Sequence, residues 1–295
     1  MAAPETLERI AVEVPESALE MFESALSACC RAVGFFLDEA SGSWIVEGVK
    51  EAGAHEADLQ AGLALAQAMS GVTPEITRER IPAGGWLARS FAGFPEQLIG
   101  RRFAVRGTHI DAPALAGRTT IILDAGLAFG TGEHGSTRGC LVALERVARF
   151  HRPSRILDLG TGSGVLGIAA ALLWHRRVLA TDIDARSVRV ARTNAAQNHA
   201  AGLFHAVRAD GWASPVLRRH APYDLVFANI LARPLAAMAA DLARNLAPGG
   251  ITILAGLLAS QENWVISAHR RHGLALQARV AEGAWTTLIM RKRTA

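Results

Sequence analysis

Residues 155–171 read Arg-Ile-Leu-Asp-Leu-Gly-Thr-Gly-Ser-Gly-Val-Leu-Gly-Ile-Ala-Ala-Ala. Glycines such as Gly160, Gly162 and Gly164 let a backbone turn sharply and sit against a ligand where a Cβ would clash, and the free N–H groups of a following helix face that ligand. Spacing then chooses among nucleotide cofactors. A dinucleotide fingerprint has its third glycine three residues after the second, but Val165 holds that position and the extra glycine falls one residue early, at Gly164. Asp158, two residues before the first glycine, would repel a pyrophosphate and suit an amino-acid ammonium group. The pattern predicts S-adenosylmethionine rather than a nicotinamide dinucleotide.

Three further polar residues are expected at strand ends. Asp182, 22 residues after Gly160, closes the next apolar run and can accept hydrogen bonds from both ribose hydroxyls. Asp210 follows a third strand, where an acid meets an adenine amino group, and Asn229 ends a fourth. A lysine ammonium, with a reference pKa of about 10.4, must lose its proton before it attacks a methyl group. Asn229 and the carbonyls beside it are expected to hold such an amine and aim its lone pair, because positioning dominates an in-line displacement. Upstream, the run from Asp124 to Thr137 contains four glycines and three hydroxyl residues. It reads as a loop folded over a ligand, with Ser136 and Thr137 placed to cap a helix beginning near Arg138. His134 is a weaker candidate for the methionine carboxylate.

These residues need a scaffold, and hydrophobic periodicity supplies one. Strands are expected at 156–159, 177–181, 203–209, 224–230 and 250–255, helices at 165–174 and 185–198 with Asp184 as cap, and a terminal hairpin at 274–280 and 285–290. Alternating strands and helices predict an α/β, doubly wound sheet. Trp264 and Trp285 are expected to pack on it. Residues 7–81 read strand, helix, strand, strand, helix, strand, the order of an α+β ferredoxin-like domain. Its second helix, 56–69, should bury Leu59, Leu63, Ala66 and Met69. The expected domains are 1–80, a linker at 81–100 rich in glycine and proline around a short apolar piece at 86–94, and 101–295.

Composition narrows the function classes. Half of the 295 residues are hydrophobic, enough for a sizeable core, and the longest strongly apolar stretch is too short to span a bilayer. A soluble, cytoplasmic, monomeric protein is expected. Cys29, Cys30 and Cys140 read as buried small hydrophobes, and the ten histidines lack ligand spacing, so no metal is implied. Residues 1–78 carry 13 acidic and 4 basic side chains, a net −9, against 14 acidic and 27 basic, a net +13, in the remainder. An acidic module suits a basic partner, and a basic module tolerates nucleic acid nearby.

The run Leu-Ala-Phe-Gly-Thr-Gly-Glu-His-Gly-Ser-Thr ending at Thr137, with Asp158-Leu-Gly-Thr-Gly-Ser-Gly, Asp182-Ile-Asp, Asn194 to Asn198 and Ala228-Asn-Ile-Leu, resembles the bacterial methyltransferases of large-ribosomal-subunit protein eleven. The resemblance implies an N-terminal ferredoxin-like domain that holds the protein substrate and a seven-stranded class I methyltransferase domain. It also implies methyl transfer from S-adenosylmethionine to lysine side chains and the α-amine. Family cofactor contacts fall on Thr137, Gly160, Asp182 and Asn229; Gly162 and Asp210 join them from the residue reading. An RNA methyltransferase, suited by the basic rear module, and a non-catalytic cofactor-binding docking protein stay open as alternatives. Contact with ribosomal RNA follows from the same basic charge.

Overall fold

Alternation of side chains sets the first strand, β1 (Thr6–Val14), where Ile10, Val12 and Val14 are buried. The computed structural model describes residues 6–30, 32–38, 41–82, 96–108, 110–123 and 135–294. The chain divides into two units, Met1–Ser90 and Phe91–Ala295. In the first, β1 is followed by α1 (Leu19–Ser27), β2 (Ala32–Asp38), β3 (Ser43–Glu51), α2 (Glu56–Ser70) and β4 (Ile76–Pro82). The strands form an antiparallel sheet in the order β2-β3-β1-β4. Glu8 lies opposite Lys50 in this sheet. Lys50 is only 1% exposed, with its ammonium held by Glu8 at 3.0 Å, Glu56 at 2.5 Å and the Ala54 carbonyl at 2.8 Å. Burying that charge is tolerable because the ammonium donates hydrogen bonds to Ala54 and Glu56 and is ion-paired with both carboxylates.

Helix α2 buries Leu59, Leu63 and Ala66 as expected, but Met69 is 67% exposed. Ten residues past Leu59, at 3.6 residues per turn, Met69 stands about 80° round the helix from that face. Cys29 is buried and Cys30 partly so.

The second unit opens with β5 (Gln97–Ile99), β6 (Phe103–Gly107) and β7 (Thr119–Leu123), a three-stranded sheet in that order. Strand β5 falls inside the expected linker, because its three residues pair with β6, a non-local contact too short to show in periodicity. The apolar piece at 86–94 and the loop residues 124–134, including His134, lie outside the described residues. Then come α3 (Gly135–Val147), β8 (Ile156–Leu159), α4 (Val165–Trp174), β9 (Val178–Asp182), α5 (Ala185–Gln197), β10 (Phe204–Arg208) and α6 (Pro215–His220). They are followed by β11 (Tyr223–Asn229), α7 (Ala232–Ala237), α8 (Ala239–Asn245), β12 (Leu246–Leu258), α9 (Glu262–Arg270), β13 (Leu274–Glu282) and β14 (Trp285–Lys292).

Among the described residues seven of these strands form one sheet, ordered β10-β9-β8-β11-β12-β14-β13. Strands β10 to β12 are parallel, and β14 runs antiparallel to both its neighbours. Successive residues face opposite ways, so the two faces feed separate cores. Ile156, Leu225 and Phe227 join a cluster with α3, α4 and α5, whereas Leu157, Leu159, Val226 and Ala228 join one with Leu235 of α7, Leu242 of α8 and Val265 of α9. Trp285 is buried within β14, but Trp264 is 48% exposed on α9, whose inward face is taken by Val265 and Ile266. No helix among the described residues is long and apolar enough to cross a membrane.

Candidate functional site

Register brings the polar strand ends together. Leu159 of β8 lies beside Thr181 on one side and Ala228 on the other. Gly160, Asp182 and Asn229, each one residue further on, therefore share a row at the C-terminal edge of the sheet, where open α/β sheets bind ligands. Asp210, exposed just beyond β10, extends that row by one strand. Its side chain caps no helix.

The glycine turn is built on that row. The N–H groups of Gly160 and Thr161 both donate to the Thr181 carbonyl, at 2.8 and 2.9 Å. Gly160 has φ 70°, and a Cβ there would meet Ile230 Cγ2 at 2.6 Å, so a side chain would sit in a strained backbone conformation and have to displace the Ile230 side chain. Gly162, at φ 54°, donates its N–H to Asp182 Oδ2 at 2.9 Å. Asp182 Oδ1 accepts the Asp184 N–H at 3.0 Å. One carboxylate thus shapes both loops and keeps lone pairs for a ligand. Asp184 caps α5 as expected, accepting from the N–H groups of Arg186 and Ser187 at 2.9 and 3.3 Å.

Asp158 does not face a ligand. It shares the inward face of Ile156, is 1% exposed, and accepts hydrogen bonds from Thr161 Oγ1 at 2.6 Å and the Gly167 N–H at 3.0 Å. Its role is to brace the turn against α4, and period-two alternation, rather than charge complementarity, explains why it points inward. Burial pushes its carboxyl up to about 6 from an ordinary 3.8, against the opposing pull of those two hydrogen bonds. The folded state therefore holds a proton that the unfolded chain has released, and the associated stability is complete below pH ~4 and lost as pH rises through ~6. Asp158→Asn removes this dependence: relative to the parent it should gain up to about 3 kcal/mol between pH ~4 and ~7, read from urea unfolding at a series of pH values. A constant difference would contradict the assignment.

Thr137 and Asn229 come together from residues 92 apart, with Asn229 Nδ2 donating to Thr137 Oγ1 at 3.5 Å. Helix α3 begins at Gly135, so Ser136 and Thr137 sit buried in its first turn rather than capping it. Asn229 Oδ1 is buried and has no hydrogen-bond partner among the described residues. An unmet acceptor beside a row of ligand-facing groups is a place for a donor to arrive.

Asn194 and Asn198, singled out in the sequence only as the ends of a run shared with the family, have structural tasks. Asn194 is buried and its Nδ2 donates to the Ser163 carbonyl at 2.8 Å, tying α5 to the glycine turn. One helical turn later, Asn198 Oδ1 accepts the Ile122 N–H at 2.7 Å while its Nδ2 donates to the Ile122 carbonyl at 2.6 Å. That pair of bonds fastens β7. Asn198→Ala would strand both Ile122 groups and is expected to cost about 2–3 kcal/mol of stability in urea unfolding.

A sequence profile described as "Ribosomal protein L11 methyltransferase (PrmA)" matches residues 38–293. The chain belongs to that family. A ribosomal protein L11 methyltransferase of Mesorhizobium japonicum is 47% identical over 212 residues, 72% of this chain and 70% of that protein. One from Caulobacter sp. (strain K31) is 38% identical over 255 residues, 86% of this chain and 85% of that protein. The crystal structure of a ribosomal protein L11 methylase from Lactobacillus delbrueckii subsp. bulgaricus superposes with a TM-score of 0.61 at 29% identity, covering 68% of this chain and all of that one. The chain is accordingly an S-adenosylmethionine-dependent methyltransferase. The residues fit that methyl donor: Gly160 and Gly162 turn the backbone at positive φ beside the strand ends, Asp182 and Asp210 line the neighbouring strand ends, and Asn229 Oδ1 has no partner among the described residues.

Proposed function

We propose that this enzyme methylates lysine side-chain and N-terminal amines of ribosomal protein L11. Family membership across residues 38–293, spanning both units, carries the reading. Residues 1–80 act as a ferredoxin-like substrate-recognition domain, 81–100 as the linker and 101–295 as a seven-stranded class I methyltransferase domain; the strand orders of the two sheets support these names. Acidic charge in the first domain favours a basic protein substrate, and the basic second domain would lie near ribosomal RNA if the substrate is met on the ribosome. The enzyme works in the cytoplasm as a monomer.

S-adenosylmethionine supplies an electrophilic methyl group on a sulfonium. Gly160 and Gly162 let the backbone approach it, Asp182 accepts from the ribose hydroxyls, Asp210 meets the adenine, and Thr137 holds the Asn229 amide in place. Asn229 Oδ1 accepts a hydrogen bond from the incoming neutral amine and aims its lone pair. Neither of the protein's own lysines competes: Lys50 is enclosed by carboxylates, and the Lys292 ammonium donates to the Ala243 and Leu246 carbonyls at 2.6 and 2.7 Å.

Incubating the enzyme with radiolabelled S-adenosylmethionine and either ribosomes or free ribosomal proteins tests the proposal. Protease-sensitive label on L11 is expected. Nuclease-sensitive label on RNA would instead identify an RNA methyltransferase.

A further inference from the structure

Uncompensated basic charge in the methyltransferase unit gathers at one edge of the sheet. At the C-terminal edge Asp182, Asp184 and Asp210 stand with Arg186, Arg208 and Arg233, so acids and bases offset there. The opposite edge is made by the segments that enter β9, β8, β11 and β13 and leave β14. These present Arg176 and Arg177 before β9, Arg155 before β8, Arg219 before β11, Arg293 after β14 and Arg271 before β13, all exposed. In sheet order these positions run from β9 to β13. At about 4.8 Å per strand they extend over roughly 24 Å.

Among the described residues the acids on this edge are engaged elsewhere. Asp224, in the same stretch, accepts the N–H groups of Ser154 and Arg155 at 2.9 Å each, and Asp241 is ion-paired with Arg244. Among the described residues none of the six arginines is ion-paired. Basic residues favour helix C-termini, which accounts for Arg219 in the last turn of α6. It does not account for Arg155, Arg177 or Arg293, which lie on strand entries and exits. Phe150, on the same edge just past α3, is 62% exposed.

We propose that this N-terminal edge of the seven-stranded sheet is a second binding surface, for the phosphate backbone of RNA, on the side of the sheet away from the methyl-transfer site. Guanidinium forks match phosphate oxygens, and an exposed aromatic ring beside them offers a base a stacking partner. At the C-terminal edge three acids offset three arginines, so a polyanion finds its uncompensated positive charge on the edge away from the cofactor row. The inference does not depend on which amine accepts the methyl group.

The test is fluorescence anisotropy of a labelled RNA duplex with the full-length enzyme at increasing salt, beside the variant R176Q/R177Q/R219Q. Parent enzyme is expected to bind with a logarithmic salt slope of about 0.7–0.9 per phosphate contact, and the variant to bind at least about tenfold more weakly with a slope lower by roughly 2 to 3. Cofactor binding and methylation of free protein substrate should be unchanged, which separates failure of this surface from failure of the proposed activity. The three side chains are exposed and unpaired, so the variant should melt with the parent; if it does not, R176Q/R177Q is used with a proportionately smaller effect expected. Absence of RNA binding by the parent at low salt, equal binding by the variant, or preference for anionic phosphatidylserine vesicles over RNA would each overturn the proposal.

Discussion

Asn229→Ala is expected to lower the turnover of amine methylation about 100-fold, the scale seen when one preorganised polar contact to a reacting group is removed, with S-adenosylmethionine affinity within about threefold of the parent. The separation follows from the two ends of the amide. Its Nδ2 donates to Thr137 Oγ1 at 3.5 Å, whereas Oδ1 is buried with no partner among the described residues. On the proposed mechanism the free end acts on the amine, so truncation should remove positioning rather than cofactor contact. Steady-state kinetics with L11, paired with calorimetric titration of the cofactor, reads both quantities. Comparable losses in turnover and affinity would reassign Asn229 to cofactor binding. Asn229→Asp is the informative companion. It keeps an acceptor for the amine, and the Thr137 hydroxyl can turn to donate to the second oxygen, so it should recover part of the lost turnover.

Asp182→Ala is expected to do the reverse, weakening S-adenosylmethionine binding by about 3 kcal/mol, a factor of roughly 100, while turnover at saturating cofactor falls only a few-fold. The two charge-assisted hydrogen bonds to ribose hydroxyls in the proposed mechanism would account for that size. The carboxylate also organises the site before any ligand arrives, since its two oxygens hold the Gly162 and Asp184 N–H groups. Asp182→Asn can preserve only one of those backbone contacts with its oxygen, so it should bind between the parent and Ala. Asp210→Ala, at an exposed position and with the single adenine contact proposed for it, should lose about 1 kcal/mol, roughly fivefold. Calorimetric titration of all three variants checks the order; a larger loss at Asp210 than at Asp182 would contradict it.

What could be read from the chain alone is what neighbouring residues encode. Helix 165–174 and Asp184 as the cap of the next helix match the observed elements, because side-chain period and capping chemistry act within a few residues. Glycines in a turn and acids or amides closing apolar runs are equally local, so Gly160, Gly162, Asp182, Asp210 and Asn229 were legible as candidates before any fold was known. Thr137 was legible mainly through its resemblance to a family loop.

Other features required the packed molecule. Asp158 looked like a ligand contact until the sheet's pleat turned it beneath α4. Met69 and Trp264 were assigned to cores by composition and spacing, yet helix rotation leaves both exposed. Strand β5 depends on pairing with β6, and the work of Asn194 and Asn198 depends on carbonyls and amides 31 and 76 residues away. The row joining Gly160 to Asn229, and the arginines gathered on the opposite edge, exist only because the strands order as β10-β9-β8-β11-β12-β14-β13. Sequence determined which groups stand at strand ends; register and strand order decided which of them meet, because hydrogen-bond pairing between distant segments leaves no periodic trace in either segment.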